Sequence, residues 1–343
     1  MNILITGASG TVGFETIKHF LESDKKTSIT VFDLYSPKVK KCLRIFKNKV
    51  EIVYGNISNY SEVEEVCKNK DIVIHLAAII PPLADEKPEL AEKVNVEGTK
   101  NIIEALKKHS PKAMLIYSSS ISVYGDRINT PNIKTTDELK PSPRDEYAKT
   151  KIKAEKLVQN SGLKWTIFRL TAIFGIGNHR ISKIMFHMPL NTPIEICTPE
   201  DTGRALMKAA FNIEKLNGKI FNLGGGENCR ISYKKFLSIS FNIFGLGKVD
   251  FPGLAFAKQN FHCAYYEDGQ ELEDILHFRK DSIESYFFGV KKHIKPVNKF
   301  FSKIFSPLIQ KTILLKSEPY RALRKNKEKE IAHYFGIFFP KIE

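Results

Sequence analysis

The feature that most constrains this chain is a seven-residue stretch, Gly7-Ala8-Ser9-Gly10-Thr11-Val12-Gly13. It follows an apolar run, Asn2–Thr6, and opens a segment whose apolar residues Val12, Ile17, Phe20 and Leu21 recur at helical spacing. A turn this tight between strand and helix needs glycine where a side chain would clash or φ must be positive. It also points backbone N–H groups at the helix N-terminus toward an anion, and a pyrophosphate suits them. Three glycines alone say little, but Asp33 adds to them. It ends the next run, Ser28–Asp33 (SITVFD), 20 residues past Gly13. That is the place for a carboxylate that accepts hydrogen bonds from an adenosine ribose. Gly7, Ser9, Gly10, Thr11, Val12, Gly13 and Asp33 are therefore expected to grip a dinucleotide. Asp33 would repel a 2′-phosphate, so NAD is expected over NADP. Lys38, Lys40, Lys41 and Arg44 follow soon after and soften that preference.

Further strands are predicted at 50–54, 71–76 (DIVIHL), 113–118 (AMLIYS), 165–170 (WTIFRL) and Lys219–Leu223. Helical patterns fall at about 61–69, 91–109 and 146–161. Continuous apolar strands alternating with helices predict an α/β fold, a doubly wound parallel-sheet Rossmann domain. The alternation decays after about residue 172. We expect a Rossmann domain over 1–171 plus about 198–223, and a smaller, discontinuous substrate domain over about 172–197 and 224–283. A basic helical extension is expected over 284–343.

Tyr147 and Lys151 stand at i and i+4, one above the other on a helix face. A free phenol has a pKa of about 10 and is a poor base. A neighbouring ammonium and a positive nicotinamide ring would favour the phenolate. Tyr147 could then move a proton while a hydride moves to or from the ring. Ser118-Ser119-Ser120 ends the fifth strand, at the carboxyl edge where ligands sit in such sheets. A hydroxyl there could bind a substrate oxygen.

With these pieces in order, the chain resembles the extended short-chain dehydrogenase/reductase family, in its NAD-dependent epimerase/dehydratase branch. The resemblance covers residues 1 to about 230. It is carried by TGASGTVG (6–13), Asp33, GNI (55–57), HLAA (75–78), NVEGT (95–99), YSSSISVYG (117–125), YAKTK (147–151), RLTAIFG (169–175) and FNLGGGE (221–227). It implies Ser120, Tyr147 and Lys151 as catalytic residues. It extends the cofactor contacts to Asn56, Ile57, Leu76, Ala77, Ala78, Asn95, Ser118 and Ile173, beside Tyr147 and Lys151. Asn56 stands where the family usually has an aspartate near the adenine amino group, and Asn95 matches an asparagine that helps order the active site. Substrate contacts are implied at Ser120, Ser122 and Arg204. The expected activity is hydride transfer at a carbinol or ketone carbon, as epimerase or dehydrogenase. Dehydration is least expected, because Ile121 and Ser122 offer no acid.

Two departures bear on the substrate. Nucleotide-sugar enzymes of this branch usually place an asparagine where Ala172 stands, and the run from Gly175 to Asp201 is shorter than their usual insert. Arg204, Arg230 or His179-Arg180 would have to serve a sugar diphosphate. The competing substrate is a more lipophilic alcohol or ketone. Met185, Phe186, Met188, Phe251, Leu254, Phe256, Phe261, Tyr265 and Tyr266 either line a pocket for it or form the core of the smaller domain. The rival of another class is a non-catalytic NAD-binding sensor or scaffold.

No apolar run reaches about 18 residues, so no transmembrane helix is expected. MNILITGASG has no basic region ahead of an apolar one, which argues against a signal peptide and for the cytoplasm. Five scattered cysteines without a C-x-x-C pair argue against a metal site or disulfides. The net charge is +15, and from 286 to 343 thirteen Lys and Arg face four acids. Ile294, Val297, Phe301, Ile304, Phe305 and Leu308 fall near helical spacing, while Lys295, Lys299 and Lys303 take other faces. That composition suits either a helix packed on the enzyme or peripheral contact of 290–315 with the inner face of a membrane. No nucleic-acid motif accompanies it. A small-molecule substrate is the expected partner, with a homodimer by family analogy.

Overall fold

The computed structural model describes residues 1–176 and 182–336. Its strands are β1 (Asn2–Thr6), β2 (Ser28–Asp33), β3 (Glu51–Tyr54), β4 (Ile72–His75), β5 (Met114–Ser120), β6 (Asn132–Ile133), β7 (Lys164–Leu170), β8 (Ala172–Ile173), β9 (Pro193–Cys197), β10 (Lys219–Leu223), β11 (Arg230–Ser232) and β12 (Tyr265–Tyr266). Seven of them form one sheet in the order β10-β7-β5-β4-β1-β2-β3. Every pairing in it is parallel. The order reverses at β1, where β2 and β3 lie to one side and β4 to the other. A doubly wound sheet opens a crevice at such a reversal, beyond the carboxyl ends of the strands.

Both faces of the sheet are covered, so successive side chains bury on opposite sides. Ile3 and Ile5 enter one core with Ile17, Val31, Ile74, Ile116 and Phe168. Leu4 enters the other with Phe32, Val73, Leu115, Tyr117 and Ile167. This is why the strands read as unbroken apolar runs. β5 runs past residue 118 because β7 pairs with it up to Ser120↔Leu170, which carries three serines to the sheet edge.

The pattern at 91–109 is three pieces: helix Pro88–Ala91, a π-helical turn Glu92–Glu97 and helix Gly98–His109. A smaller sheet, β11-β9-β8, belongs to a second core containing Phe174, Phe186, Met188, Phe236, Phe256 and Tyr286. Phe186, Met188, Phe256 and Tyr266 are buried in packing, and none of the nine pocket candidates lines the main cleft. The region 290–315 is not the single helix its spacing suggested. Helices Ile283–His293, Pro296–Ile304 and Ser306–Leu314 follow one another. Pro296 and Pro307 each sit in the first turn of a new helix, where the missing N–H costs nothing. No helix among the described residues is long and apolar enough to cross a membrane.

Candidate active site

The glycine turn sits at the sheet reversal. Gly7 has φ +67, and a Cβ on it would lie 2.7 Å from the Ala77 nitrogen. A Cβ on Gly13 would lie 2.7 Å from both Ala8 Cα and the Gly7 oxygen. Side chains at these two positions would break the close approach of β1, β4 and the first helix. Gly7 N–H donates to the Phe32 oxygen (3.0 Å) and Gly10 N–H to the Gly7 oxygen (3.1 Å). These two bonds close the turn on itself and tie it to β2. Gly10 caps helix Thr11–Glu22 with no side chain, which leaves the positive end of the helix facing the crevice.

Asp33 is held at the rim. Its carboxylate accepts from Ser9 N–H (2.7 Å) and Leu34 N–H (2.8 Å). Asn56 accepts from Ser58 N–H through its side-chain oxygen (2.9 Å). An amide oxygen has two lone pairs, so Ser58 takes one acceptor site. Between these groups runs a cleft of about 690 Å³. Gly7, Ser9, Gly10, Thr11, Val12, Gly13, Asp33, Asn56, Ile57, Leu76, Ala77, Ala78, Ser118, Ser120, Tyr147, Lys151 and Ile173 all line it. Its glycine floor and acidic rim fit a dinucleotide.

The far end carries the reactive groups. Helix Glu146–Gln159 lies along β5. Lys151 is buried, its Nζ donates to the Ser118 oxygen (2.8 Å), and it lies 5.7 Å from the centre of the Tyr147 ring. Burial pulls the Lys151 ammonium down to about 7, against the opposing pull of the Glu155 carboxylate. Burial pushes the Tyr147 phenol well above its ordinary value, a hydrogen bond with Ser120 works the other way, and Asp145 adds to the rise. The expected lowering of Tyr147 rests on the nicotinamide ring as well as on Lys151, and burial works against it. Ser120 Oγ also accepts from Ser122 N–H (3.2 Å), which fixes its rotamer.

Three predicted residues are not in the cleft. Asn95 is buried in the π-helical turn. It accepts from Ile79 N–H (2.7 Å), and donates to the Ile79 oxygen (3.0 Å) and Thr150 Oγ1 (2.9 Å). It thereby staples the loop after β4 to helix Glu146–Gln159 instead of touching the cleft. Ser122 is fully buried beneath the turn that follows β5. Arg204 is spent on the Asp201 carboxylate and donates to the Phe278 oxygen (2.6 Å). Arg230 is likewise committed, to Glu195 (2.9 Å) and the Tyr266 oxygen (2.7 Å). His179 and Arg180 lie outside the described residues.

Sequence reasoning missed Asp85. Its carboxylate accepts from the N–H groups of Glu146 (3.0 Å) and Tyr147 (3.3 Å), seating the start of helix Glu146–Gln159. Asp145 caps the same helix through Ala148 N–H (2.8 Å), and His262 of the smaller lobe lies 3.2 Å from its other oxygen. Asp145 ahead of YAKTK is legible as a helix cap, whereas Asp85 leaves no local signal. Leu34, Gly55, Ile79, Ile80, Val94 and Thr171 also line the cleft without having been singled out. Among the described residues no three His, Cys, Asp or Glu come together as metal ligands.

Comparison with known proteins agrees with this geometry. A profile of the NAD dependent epimerase/dehydratase family matches residues 3–224. The chain is 31% identical over 191 residues to sterol-4-alpha-carboxylate 3-dehydrogenase, decarboxylating, of Candida albicans, covering 52% of this chain and 53% of that protein. It is 30% identical over 188 residues to dTDP-glucose 4,6-dehydratase of Mycolicibacterium smegmatis, covering 52% and 55%. The chain thus spans about half the length of the curated relatives it matches. The fold is similar to that of UDP-glucuronic acid 4-epimerase from Bacillus cereus, solved in complex with UDP-glucuronic acid and NAD. The TM-score is 0.72 at 19% identity, over 87% of this chain and 100% of that one.

Proposed function

Because the chain belongs to the NAD-dependent epimerase/dehydratase family, we propose that it binds NAD in the cleft and catalyses hydride transfer at a carbinol or ketone carbon. The observation that carries this reading is the convergence of Ser120, Tyr147 and Lys151 at the carboxyl edge of β5, at one end of a cleft whose other end is the glycine turn. Bound NAD supplies the hydride acceptor, and its positive ring offsets part of the burial that holds the Tyr147 phenol protonated.

Each residue then has one task. The Ser120 hydroxyl and the Tyr147 phenol hold the substrate oxygen between them. As the phenolate, Tyr147 takes the hydroxyl proton while the carbon is oxidised, and as the phenol it returns that proton on reduction. Lys151, tied to the Ser118 oxygen, holds its amino group beside the Tyr147 ring. Asp85 and Asp145 fix the helix start, so the phenol does not drift from Ser120. Asp33 disfavours a 2′-phosphate, which supports NAD over NADP.

Two substrate readings stand. A nucleotide sugar fits the family relatives that act on dTDP-glucose or UDP-sugars. A more lipophilic alcohol or ketone, met at a membrane surface, is supported by a specific observation: Arg204 and Arg230, two of the three arginines expected to serve a diphosphate, are committed to buried carboxylates. A relative named for a sterol carboxylate supports the same reading. The test incubates purified protein and NAD with sterol-type and UDP-sugar substrates and follows absorbance of the reduced ring. Net NADH production indicates a dehydrogenase, and isomerisation without net change an epimerase. Tyr147→Phe is expected to lower kcat by about 10²–10⁴ while NAD still binds. Unchanged biological activity in that variant would make the protein a nucleotide sensor or scaffold and refute the reading.

A further inference from the structure

An amphipathic helix ordinarily turns its apolar stripe toward the core. The segment after residue 295 does the reverse. Val297, Phe300, Phe301, Ile304 and Leu308 follow i, i+3, i+4, i+7 and i+11 spacing, and they are 63%, 61%, 52%, 55% and 61% exposed. Helix Pro296–Ile304 buries no residue at all.

The inner side of this segment is anchored by Ile313, buried in the second core with Ile309 and Leu314 packed against that core, and by polar contacts beside them. Ser306 Oγ donates to the Leu246 oxygen (2.5 Å). Gln310 donates to the Leu246 and Lys248 oxygens (3.0 Å each) and accepts from Asp250 N–H (3.0 Å). The backbone at Lys299 rests on the Gly245 turn, where a Cβ would come within 2.5 Å of the Lys299 oxygen. Ser306 and Gln310, one turn apart, thus pin the inward face, and phenylalanine and leucine are left outward. Phe288 on the preceding helix and Leu315 after it, 60% and 66% exposed, extend the apolar surface.

The charge around this surface has one sign. Between Glu284 and Glu318 there is no acid, and the stretch holds Lys291, Lys292, Lys295, Lys299, Lys303, Lys311 and Lys316. All seven are exposed. Among the described residues, Lys291, Lys292, Lys295, Lys299, Lys303 and Lys311 form no ion pair with a carboxylate. A second copy docked face to face would bring the same lysines against each other. An anionic bilayer surface offers what both features lack: an apolar layer for the aromatic stripe and negative headgroups for the surrounding ammonium groups. Lysine stems lie along apolar surface while their heads stay in water, which suits that depth.

We propose that the outward face of helices Pro296–Ile304 and Ser306–Leu314 docks on an anionic lipid surface, with Phe300, Phe301, Ile304 and Leu308 entering the headgroup boundary. The segment lies on the membrane and does not cross it. The proposal holds whichever substrate the cleft takes.

Co-sedimentation of the full chain with vesicles tests it. Vesicles of equal parts phosphatidylglycerol and phosphatidylcholine should carry the protein down, and vesicles of phosphatidylcholine alone should not. Lys295→Gln, Lys299→Gln and Lys303→Gln combined should weaken partitioning by on the order of 100-fold, at roughly fivefold per lysine. Phe300→Ser, Phe301→Ser and Leu308→Ser combined should weaken it by at least about tenfold. NAD binding in solution should be unchanged in both variants, which separates this result from any failure of the catalytic reading. Wild-type protein left in the supernatant with anionic vesicles would overturn the proposal. Binding that the three serines leave intact would overturn it too, because simple charge adhesion would then suffice. A dimer dispersed by those serines and indifferent to vesicles would assign the stripe to a second copy and overturn it as well.

Discussion

Glu155→Gln should be strongly destabilising, for a reason that can be worked from the contacts. Glu155 is fully buried and Arg169 is 3% exposed. Arg169 Nε donates to Glu155 Oε1 (3.0 Å) and Nη2 to Oε2 (2.8 Å), a two-pronged pair. Nη1 donates to Tyr124 OH (2.7 Å) and the Thr135 oxygen (2.9 Å), and Tyr124 OH in turn donates to Asn222 (2.8 Å). The pair therefore ties β7 to the catalytic helix and, through Tyr124, to β10. Burial works against the charge on Arg169, but Glu155 and Tyr124 outweigh it and hold the guanidinium protonated. Glutamine preserves the shape, removes the charge and turns an NH₂ group toward a cation. An uncompensated buried charge costs about 3–5 kcal/mol. The assay is urea unfolding followed by circular dichroism. Replacing both residues with leucine should cost less than the two single changes added together, since neither charge is then left alone. Glu155 also raises Lys151 from one helical turn away. In Glu155→Gln the Lys151 ammonium should therefore titrate below about 7. A Glu155→Gln variant within about 1 kcal/mol of wild type would refute the reasoning, since breaking such a pair should cost several times that. So would a double variant whose cost is the plain sum of the singles.

Lys151→Met tests the buried ammonium by linkage. Lys151 titrates near 7 when folded and near the ordinary lysine value when unfolded, so the unfolded chain binds the extra proton between those limits. The burial cost is then fully present below about pH 7 and is relieved as pH rises toward about 10, so wild type should gain stability on the variant across that window. A pH-independent difference would contradict this. Asp33→Ala should weaken NAD and shift preference toward NADP by at least about fivefold, because a repulsion of about 1 kcal/mol or more is removed. Titration calorimetry with both nucleotides reads the ratio, and an unchanged ratio would show that Asp33 does not face the ribose.

Much of the cofactor half is legible in the sequence because its signals are local. Gly7 and Gly13 meet backbone at distances no Cβ tolerates, and such positions must be glycine whatever surrounds them. Ser120, Tyr147 and Lys151 lie within 32 residues, on one strand and the helix that covers it. Asp85 is invisible there because its partners are the backbone N–H groups of Glu146 and Tyr147, 61 and 62 residues away. A backbone donor leaves no letter in the sequence. The fate of Arg204 is different, for its signal is local too. Asp201 and Arg204 stand at i and i+3 on one helix, and that spacing alone pairs them. An arginine already matched to a carboxylate on its own helix has little charge to offer a diphosphate, so the spacing itself argues against a substrate role.

The C-terminal segment shows where periodicity stops. The spacing of Val297, Phe301, Ile304 and Leu308 defines a stripe, and a stripe is the same letters whether it faces in or out. What decides the direction is the opposite side of the helix. On the following helix Ser306 and Gln310 bond the backbone of the 245–250 turn while Ile309, Ile313 and Leu314 pack on the second core, so the side bearing Leu308 and the preceding stripe is left outward. Neither Ser306 nor Gln310 draws attention in the sequence, since serine and glutamine on a helix usually face water. The lysines point the same way: with no acid between Glu284 and Glu318 to pair with, they keep their ammonium groups in water around the outward stripe. Stripe, anchor and charge are three separate reasons for one orientation, and only the stripe can be read from spacing.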